Sequence, residues 1–243
     1  WLKSLTIMSF VTNMAAAYTR IVVTGVSLAL LILAGISALT PNAAASEQPD
    51  AVADRYLAGQ HYTVLDTPVA TASPAVVEVV EVFSYMCIHC YTFDPMLSNW
   101  QAEQEENVVF VRLPAVFNPA WQILAQAYYT AQSLGISEEM HEPLFKAVHV
   151  DRLDLRNSDT MAGLFKRYGG IEERTFKNVY EAFSVKSRVM QSRGKSRSYG
   201  ITGVPTMIVN GKYRVDGQSA GGNAAMLKVV DFLVSKEQSA RAD

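Results

Sequence analysis

The run AVVEVVEVF at positions 75 to 83 limits most strongly what this chain can fold into. Apolar, β-branched runs of this kind are typical of a strand that helices cover on both faces. The next residues have helical character from Ile88 to about Glu106, with Pro95 inside, and NVVFVRL (107 to 113) is a second strand of the same type. Strand, helix and strand in this order predict a βαβ unit.

The middle of the chain, from Pro119 to about Tyr199, has helical periodicity. Its breaks lie at Gly135-Ile136, near Arg156-Asn157 and at Gly169-Gly170. Glycine commonly ends a helix, and proline suits a first helical turn, as Pro119 does here. The pattern therefore predicts four or five helices over residues 119–199.

A sheet resumes after these helices. PTMIVNGKYRV (205 to 215) predicts two strands around Asn210-Gly211, which is a strong hairpin signal, and a closing helix follows from about Gly221 to Lys236. HYTVLD (61 to 66) predicts a short first strand. We expect an α/β fold in which a helical domain, residues 119–199, interrupts a sheet domain formed by 46–118 and 200–243.

The first 45 residues contain no acidic side chain and carry an uncharged run at 21 to 39 after Arg20. The triplet Ala43-Ala44-Ala45 follows, which is the order of a secretory signal cleaved before Ser46. A retained membrane anchor is the alternative, because 19 apolar residues just span a bilayer.

The net charge is only −2, and the basic residues between 186 and 200 do not form a block. Nucleic acid is therefore not an expected partner.

The only two cysteines, Cys87 and Cys90, flank His89 just after the first buried strand. A metal site needs three or four ligands, and the other histidines lack a matching spacing. A disulfide that encloses two residues restrains the unfolded chain very little. Redox exchange remains, because the second thiol can attack a mixed disulfide as soon as it forms.

Cys87 falls where the strand ends and the helix begins, so free backbone N–H groups and the helix dipole favour its thiolate. The dipole supplies only about 0.3 to 2 kcal/mol. A Cys87 pKa of about 4 instead of about 8.5 would stabilise the reduced form by about 4 kcal/mol at pH 7. Hydrogen bonds to sulfur must supply the rest, helped by His89 unless this residue is simply solvated on the first turn. We predict a Cys87 pKa below 6.

Two acids, Glu78 and Glu81, lie three residues apart in the buried strand. They point to opposite faces of the sheet, so at least one of them is expected to be buried. The aromatic residues near the cysteines have two interpretations, as a groove for apolar peptides or as core. They are Tyr91, Phe93, Trp121, Tyr128 and Tyr129.

The stretch FSYMCIHCYTF resembles the active site of the DsbA family of periplasmic thiol:disulfide oxidoreductases, which typically read C-P-H-C followed by Tyr. The resemblance continues through GVPTMIVNGKY (203 to 213) and covers essentially all of the chain after residue 45. It implies a thioredoxin-like fold with a helical domain inserted before the cis-Pro hairpin.

The resemblance also implies roles for single residues. Cys87 is expected to be the exposed nucleophile, Cys90 its buried partner and His89 the histidine that stabilises the thiolate. Val204 and Pro205 match the substrate-binding loop with a cis proline. Ile88 replaces the usual proline, at a position that tunes the reduction potential. Glu81 matches the buried acid that assists proton movement to Cys90. Arg112 replaces a lysine that accompanies this acid in some members, but an arginine holds its proton too tightly to relay it.

The function implied is that of an exported, periplasmic oxidase that donates its Cys87–Cys90 disulfide to folding proteins and needs no other cofactor and no metal. Its partners would be reduced secreted proteins and a membrane quinone-linked oxidase of the DsbB type, and the protein would act as a monomer. Two alternatives remain: a disulfide reductase or isomerase with the same fold, and a thiol metal carrier or peptide-binding module without turnover.

Overall fold

The predicted buried strand lies inside the sheet, between two other strands, in the computed structural model, which describes residues 55 to 242. This strand, β2 (Val77–Phe83), is buried along its whole length. It pairs in parallel with β3 (Val108–Pro114) and antiparallel with β4 (Thr206–Val209). With β1 (Thr63–Val64) and β5 (Tyr213–Asp216) the order in the sheet is β1-β5-β4-β2-β3. The signal or anchor predicted for residues 1–45 lies outside the described residues.

The βαβ unit is confirmed, with α1 (Ile88–Ala102) between β2 and β3. Pro95 lies inside α1, as the sequence requires. The helix ends four residues earlier than predicted because the backbone amides of Glu103 and Gln104 bond three residues back, to Trp100 and Gln101. These tighter bonds end the helix before the turn into β3.

The hairpin between β4 and β5 is also confirmed. Asn210 and Gly211 both have positive φ, 50° and 63°, and the amide of Lys212 bonds the carbonyl of Val209 at 3.0 Å. A Cβ at position 211 would lie 1.9 Å from the carbonyl oxygen of Val69. Only glycine can therefore occupy position 211 of this turn.

Helices fill the described chain between β3 and β4, as the periodicity predicts. They are α2 (Pro119–Leu134), α3 (Ser137–His149), α4 (Ser158–Gly169), α5 (Glu173–Tyr180) and α6 (Phe183–Ser198). Asn118 caps the start of α2, and Gly135 ends it in the left-handed conformation. Asn157 and Gly170 do the same for α4. The division into domains at residues 118/119 and 199/200 stays a prediction.

Two helices follow the last strand, β5, where the sequence predicted one. A short α7 (Gly217–Ala220), capped by Asp216, precedes α8 (Asn223–Ala242). The last helix therefore begins two residues later and ends six residues later than predicted. The glycines at 221 and 222, both with positive φ, separate the two helices.

The core lies on both faces of β2 and continues among the inserted helices. Val77 and Val79 pack towards α1 and α8, while Val80 and Val82 pack on the opposite face of the sheet. Phe83, at the end of β2, joins the cluster formed with the inserted helices. The end of β2 is therefore the place where the sheet meets these helices, and the cysteines follow directly.

Candidate functional site

Cys87 lies between β2 and α1 and is the N-cap residue of α1. Its thiol is half-buried and donates a hydrogen bond to the carbonyl oxygen of Val204 over 3.4 Å. The Cys87 amide bonds the carbonyl of Ser84 at 3.0 Å, and the Ser84 hydroxyl accepts from the amide of Met86 at 3.1 Å. The turn before Cys87 is therefore held by its own backbone.

Cys90, one helical turn later, is completely buried, and both cysteines are free thiols. Their pKa values move in opposite directions. The pKa of Cys87 falls to about 6, chiefly because the Cys90 thiol donates to its sulfur, with help from the backbone N–H groups of Cys90 and His89 and the charge of His89. Burial raises the pKa of Cys90 far above its usual range. The predicted Cys87 pKa lay below 6, so the structure places it at the upper limit of that prediction.

The unequal thiols give a prediction for the reduced protein. We expect the ultraviolet absorbance of the thiolate to titrate with one midpoint near pH 6, because only Cys87 ionises in the accessible range. Cys87→Ser should remove this transition, and no further thiol can contribute, because the chain contains only Cys87 and Cys90. A midpoint above pH 7 would contradict the prediction.

The other residues predicted around the cysteines are brought to the same place. The peptide bond between Val204 and Pro205 is cis, as the resemblance implies. His89 and Ile88 are exposed on the first turn of α1. A cleft of about 600 Å³ runs beside His89, Val204 and Pro205, and its far wall is formed by β5 and the residues after it.

Glu81 and Glu78 are both buried, where the sequence required only one of them to be. Glu78 pairs with Lys195 at 3.3 Å. Glu81 lies 3.4 Å from Arg112, and burial raises its pKa to about 8. Within residues 55 to 242 neither Glu81 Oε2 nor Arg112 Nε has a hydrogen-bond partner. Burial therefore outweighs the attraction of Arg112 and favours the neutral form of the Glu81 carboxyl group.

Arg112 is turned towards a residue that the sequence did not single out. Its Nη2 atom donates to Asp94 Oδ1 at 3.2 Å, and His141 Nε2 lies 2.9 Å from the same oxygen. Burial alone would raise the pKa of Asp94, but the bonds from His141 and Arg112 outweigh it and lower the pKa. Asp94 is four residues after Cys90 on one helix, a spacing that could have indicated it. No spacing rule indicates His141, which comes from α3.

The five aromatic residues separate into two groups. Phe93, Tyr128 and Tyr129 are buried and belong to the core. Tyr91 and Trp121 are half-buried, and their rings stack on His149 and Phe117. The core interpretation therefore holds for three of the five.

The thiol pair, the cis proline and the buried acid all lie within a segment that matches a known protein family. The sequence profile of the DSBA-like thioredoxin domain matches residues 78–226, which is more than half of the chain. The chain belongs to this family. It is 40% identical to the thiol:disulfide interchange protein DsbA of Pseudomonas aeruginosa over 190 residues, or 78% of this chain and 90% of that protein. Its identity to the DsbA of Azotobacter vinelandii is 39% over 183 residues, or 75% and 85% of the two chains.

Solved structures of the DsbA family have the same fold. The crystal structure of Pseudomonas aeruginosa DsbA matches with a TM-score of 0.75 and 38% identity, covering 79% of this chain and 99% of that one. The oxidoreductase DsbA from Xylella fastidiosa matches with a TM-score of 0.71 and 31% identity, covering 76% and 98%. The expected fold, thioredoxin-like with helices inserted before the cis-Pro hairpin, is confirmed.

Membership of the DsbA family also establishes the activity. The protein is a thiol:disulfide oxidoreductase, and its redox group is a disulfide rather than an external cofactor. Its DsbA homologues are periplasmic, and they imply substrate proteins and interaction with a partner oxidase. In residues 55 to 242 no cluster of three or more His, Cys, Asp or Glu side chains is arranged to hold a metal ion. Over the same range, no helix combines the length and the apolar character needed to cross a bilayer.

Proposed function

We propose that this protein is an exported oxidase that donates a Cys87–Cys90 disulfide to folding proteins. One observation carries the proposal: Cys87 is half-exposed with a lowered pKa, whereas Cys90 is buried with a strongly raised one. A thiolate stabilised at Cys87 favours the reduced form of the protein. Favouring the reduced form makes the disulfide a better oxidant.

The reaction begins with the oxidised protein. A substrate thiolate attacks the sulfur of Cys87, the Cys87–Cys90 bond breaks, and Cys90 leaves as a thiolate. Because the pKa of Cys90 is strongly raised, this sulfur takes up a proton, and Glu81 supplies it, being neutral at pH 7 with a pKa of about 8. A second substrate thiolate then attacks the substrate sulfur of the mixed disulfide. Cys87 leaves as the stabilised thiolate, and the substrate has lost two electrons to the protein.

The size of the effect follows from the thiol pKa. At pH 7 a thiol with a pKa of 6 instead of 9 stabilises the reduced form by at most about 1.4 kcal/mol, or about 30 mV. Water screens the half-exposed sulfur and lowers this figure. The proposed oxidase is therefore moderate, which fits the replacement of the usual proline by Ile88.

The residues around Cys87 have proposed roles in binding and activation. The Val204 carbonyl already accepts a hydrogen bond from the Cys87 thiol, so a substrate cysteine that reaches this sulfur must pass along Val204 and Pro205. Ile88 is about half exposed beside it and offers an apolar contact. His89 contributes its backbone N–H and its charge to the thiolate. In a mixed disulfide with a cysteine peptide, the NMR signals of these four residues should shift, and unchanged signals would contradict their roles.

A redox equilibrium with glutathione tests the oxidase proposal. We expect a reduction potential clearly above the roughly −270 mV of thioredoxin, because the thiolate at Cys87 favours the reduced form. Cys90→Ser cannot form the intramolecular disulfide, so its signal in the same glutathione buffers is the baseline for the measurement. A potential equal to that of thioredoxin would instead support the reductase or isomerase alternative.

The remaining parts of the proposal concern the cellular context. We place the protein in the periplasm as a monomer, with reduced secreted proteins as substrates and a DsbB-type, quinone-linked membrane oxidase as the partner that restores the disulfide. The expected signal in residues 1–45 and the periplasmic homologues support this placement. Cell fractionation with N-terminal sequencing tests the export, light scattering tests the monomer, and quinone-dependent reoxidation in membranes tests the partner. A cytoplasmic product with residues 1–45 retained would contradict it.

A further inference from the structure

Tyr85, two residues before Cys87, is held at both ends by one helix of the inserted segment. Its hydroxyl lies 2.9 Å from His141 Nδ1, and its backbone carbonyl lies 2.8 Å from His149 Nε2. The tyrosine is almost completely buried. Eight residues separate the two histidines on α3, about 12 Å along the helix axis. Tyr85 bridges the two histidines through its hydroxyl at one end and its backbone carbonyl at the other.

The direction of each hydrogen bond follows from the chemistry of the partners. A carbonyl oxygen only accepts, so His149 Nε2 carries a proton and donates to Tyr85. His141 Nε2 faces the ionised Asp94 and donates to it, which leaves Nδ1 to accept from the Tyr85 hydroxyl. Both nitrogens of the buried His141 are therefore occupied.

His149 makes a second contact with the active-site helix. Its ring stacks on Tyr91, with centroids 5.2 Å apart and planes 11° from parallel. Tyr91 is the residue after Cys90 and lies in the first turn of α1. His149 thus contacts the chain on both sides of the cysteine pair, two residues before Cys87 and directly after Cys90.

The segment held by these contacts carries the groups that act on sulfur. Ser84, next to Tyr85, accepts from the Cys87 amide, and the N–H groups that lower the Cys87 pKa follow within three residues. A hydrogen bond to sulfur weakens quickly when its donor moves or tilts. The position of Tyr85 therefore bears on how well the Cys87 thiolate is stabilised.

We propose that His141 and His149 are positioning residues, which hold Tyr85 and so fix the turn that presents Cys87. This inference rests on the proposed role of Cys87 as the nucleophile. It assigns to the inserted helices a part in the chemistry: they set the reactivity of a thiol that belongs to the sheet domain.

The test separates the hydrogen bond of His149 from its ring. His149→Phe keeps an aromatic ring against Tyr91 but loses the donor, whereas His149→Gln keeps a donor and loses the ring. We expect His149→Phe to raise the thiolate midpoint of Cys87 by at least about 0.5 pH unit, and His149→Gln to stay closer to the unmodified protein. Tyr85→Phe, which removes only the hydroxyl bonded to His141, should raise the midpoint as well. His61→Gln, in a histidine of the N-terminal segment, serves as the control.

The thiolate titration needs no substrate, so its result is independent of whether the protein oxidises its clients. Thermal unfolding of each variant is measured alongside it. The proposal is overturned if the midpoint is unchanged in both His149→Phe and Tyr85→Phe, because the histidines then only satisfy buried polar groups. Equal midpoint shifts in His149→Phe and His149→Gln would also overturn it. If His149→Phe does not fold, the shift in Tyr85→Phe decides.

Discussion

Cys87→Ser is expected to reduce disulfide transfer to the uncatalysed rate, because a serine hydroxyl can neither form the disulfide nor leave as a stabilised thiolate. Cys87 carries the only accessible thiol, since the one other cysteine of the chain, Cys90, is completely buried. Oxidation of a reduced peptide that contains two cysteines, followed by mass spectrometry, measures the loss. The measurement also separates an enzyme from a metal carrier or binding module, whose peptide binding would survive the substitution.

Cys90→Ser provides the matched variant for this experiment. It keeps the exposed thiol of Cys87 but removes the group that resolves or forms the internal bond. We expect it to accumulate a mixed disulfide with a peptide disulfide, detectable as an added mass that a reductant removes. If both variants retained turnover, the cysteine mechanism would be wrong.

Glu81→Gln is expected to raise the free energy of unfolding by about 4 kcal/mol at pH 8. The native carboxyl has a pKa of about 8, against an ordinary value of 4.5 in the unfolded chain. Between these values the folded protein binds a proton that the unfolded chain has lost. Stability therefore falls as the pH rises from 4.5 to 8, and glutamine, which cannot ionise, removes this dependence. Urea unfolding at pH 4 and pH 8 measures it.

The pH dependence separates this effect from a simple change in packing. At pH 4 the carboxyl is neutral in both states, so the two proteins should have nearly equal stability. A gain of the same size at both pH values would contradict the raised pKa. The same variant should transfer disulfides more slowly by about 10²-fold, because it cannot give a proton to Cys90. Unchanged kinetics would contradict the proposed role of Glu81 without affecting the stability prediction.

Much of the fold was predictable because its signals are local. The valine-rich run of β2, the glycines that end α2 and α4, and the Asn210-Gly211 turn each lie within a few residues. Capping and turn chemistry determine such features with little help from the rest of the chain. The prediction was less accurate at the last helix, where Asp216 and two glycines produced an additional short helix.

The site was predictable only in part. The positions of Cys87, Cys90 and Glu81 follow from one strand and the helix after it, and the burial of both glutamates follows from a strand covered on both faces. Arg112 was expected to accompany Glu81, but its strongest bond is to Asp94. His141, about fifty residues after Asp94 in the chain, contacts the same carboxylate oxygen.

Short segments of the sequence predicted the candidate residues for the chemistry and the order of the elements, because a thiol pair at a strand–helix junction and the periodicity of strands and helices are local properties. The surroundings of the sulfur depend instead on the tertiary structure. The Val204 carbonyl at Cys87, the division of Arg112 between two acids and the two histidines on Tyr85 all join atoms from distant segments. Such contacts depend on packing angles and distances to within about an ångström, and no local pattern encodes them.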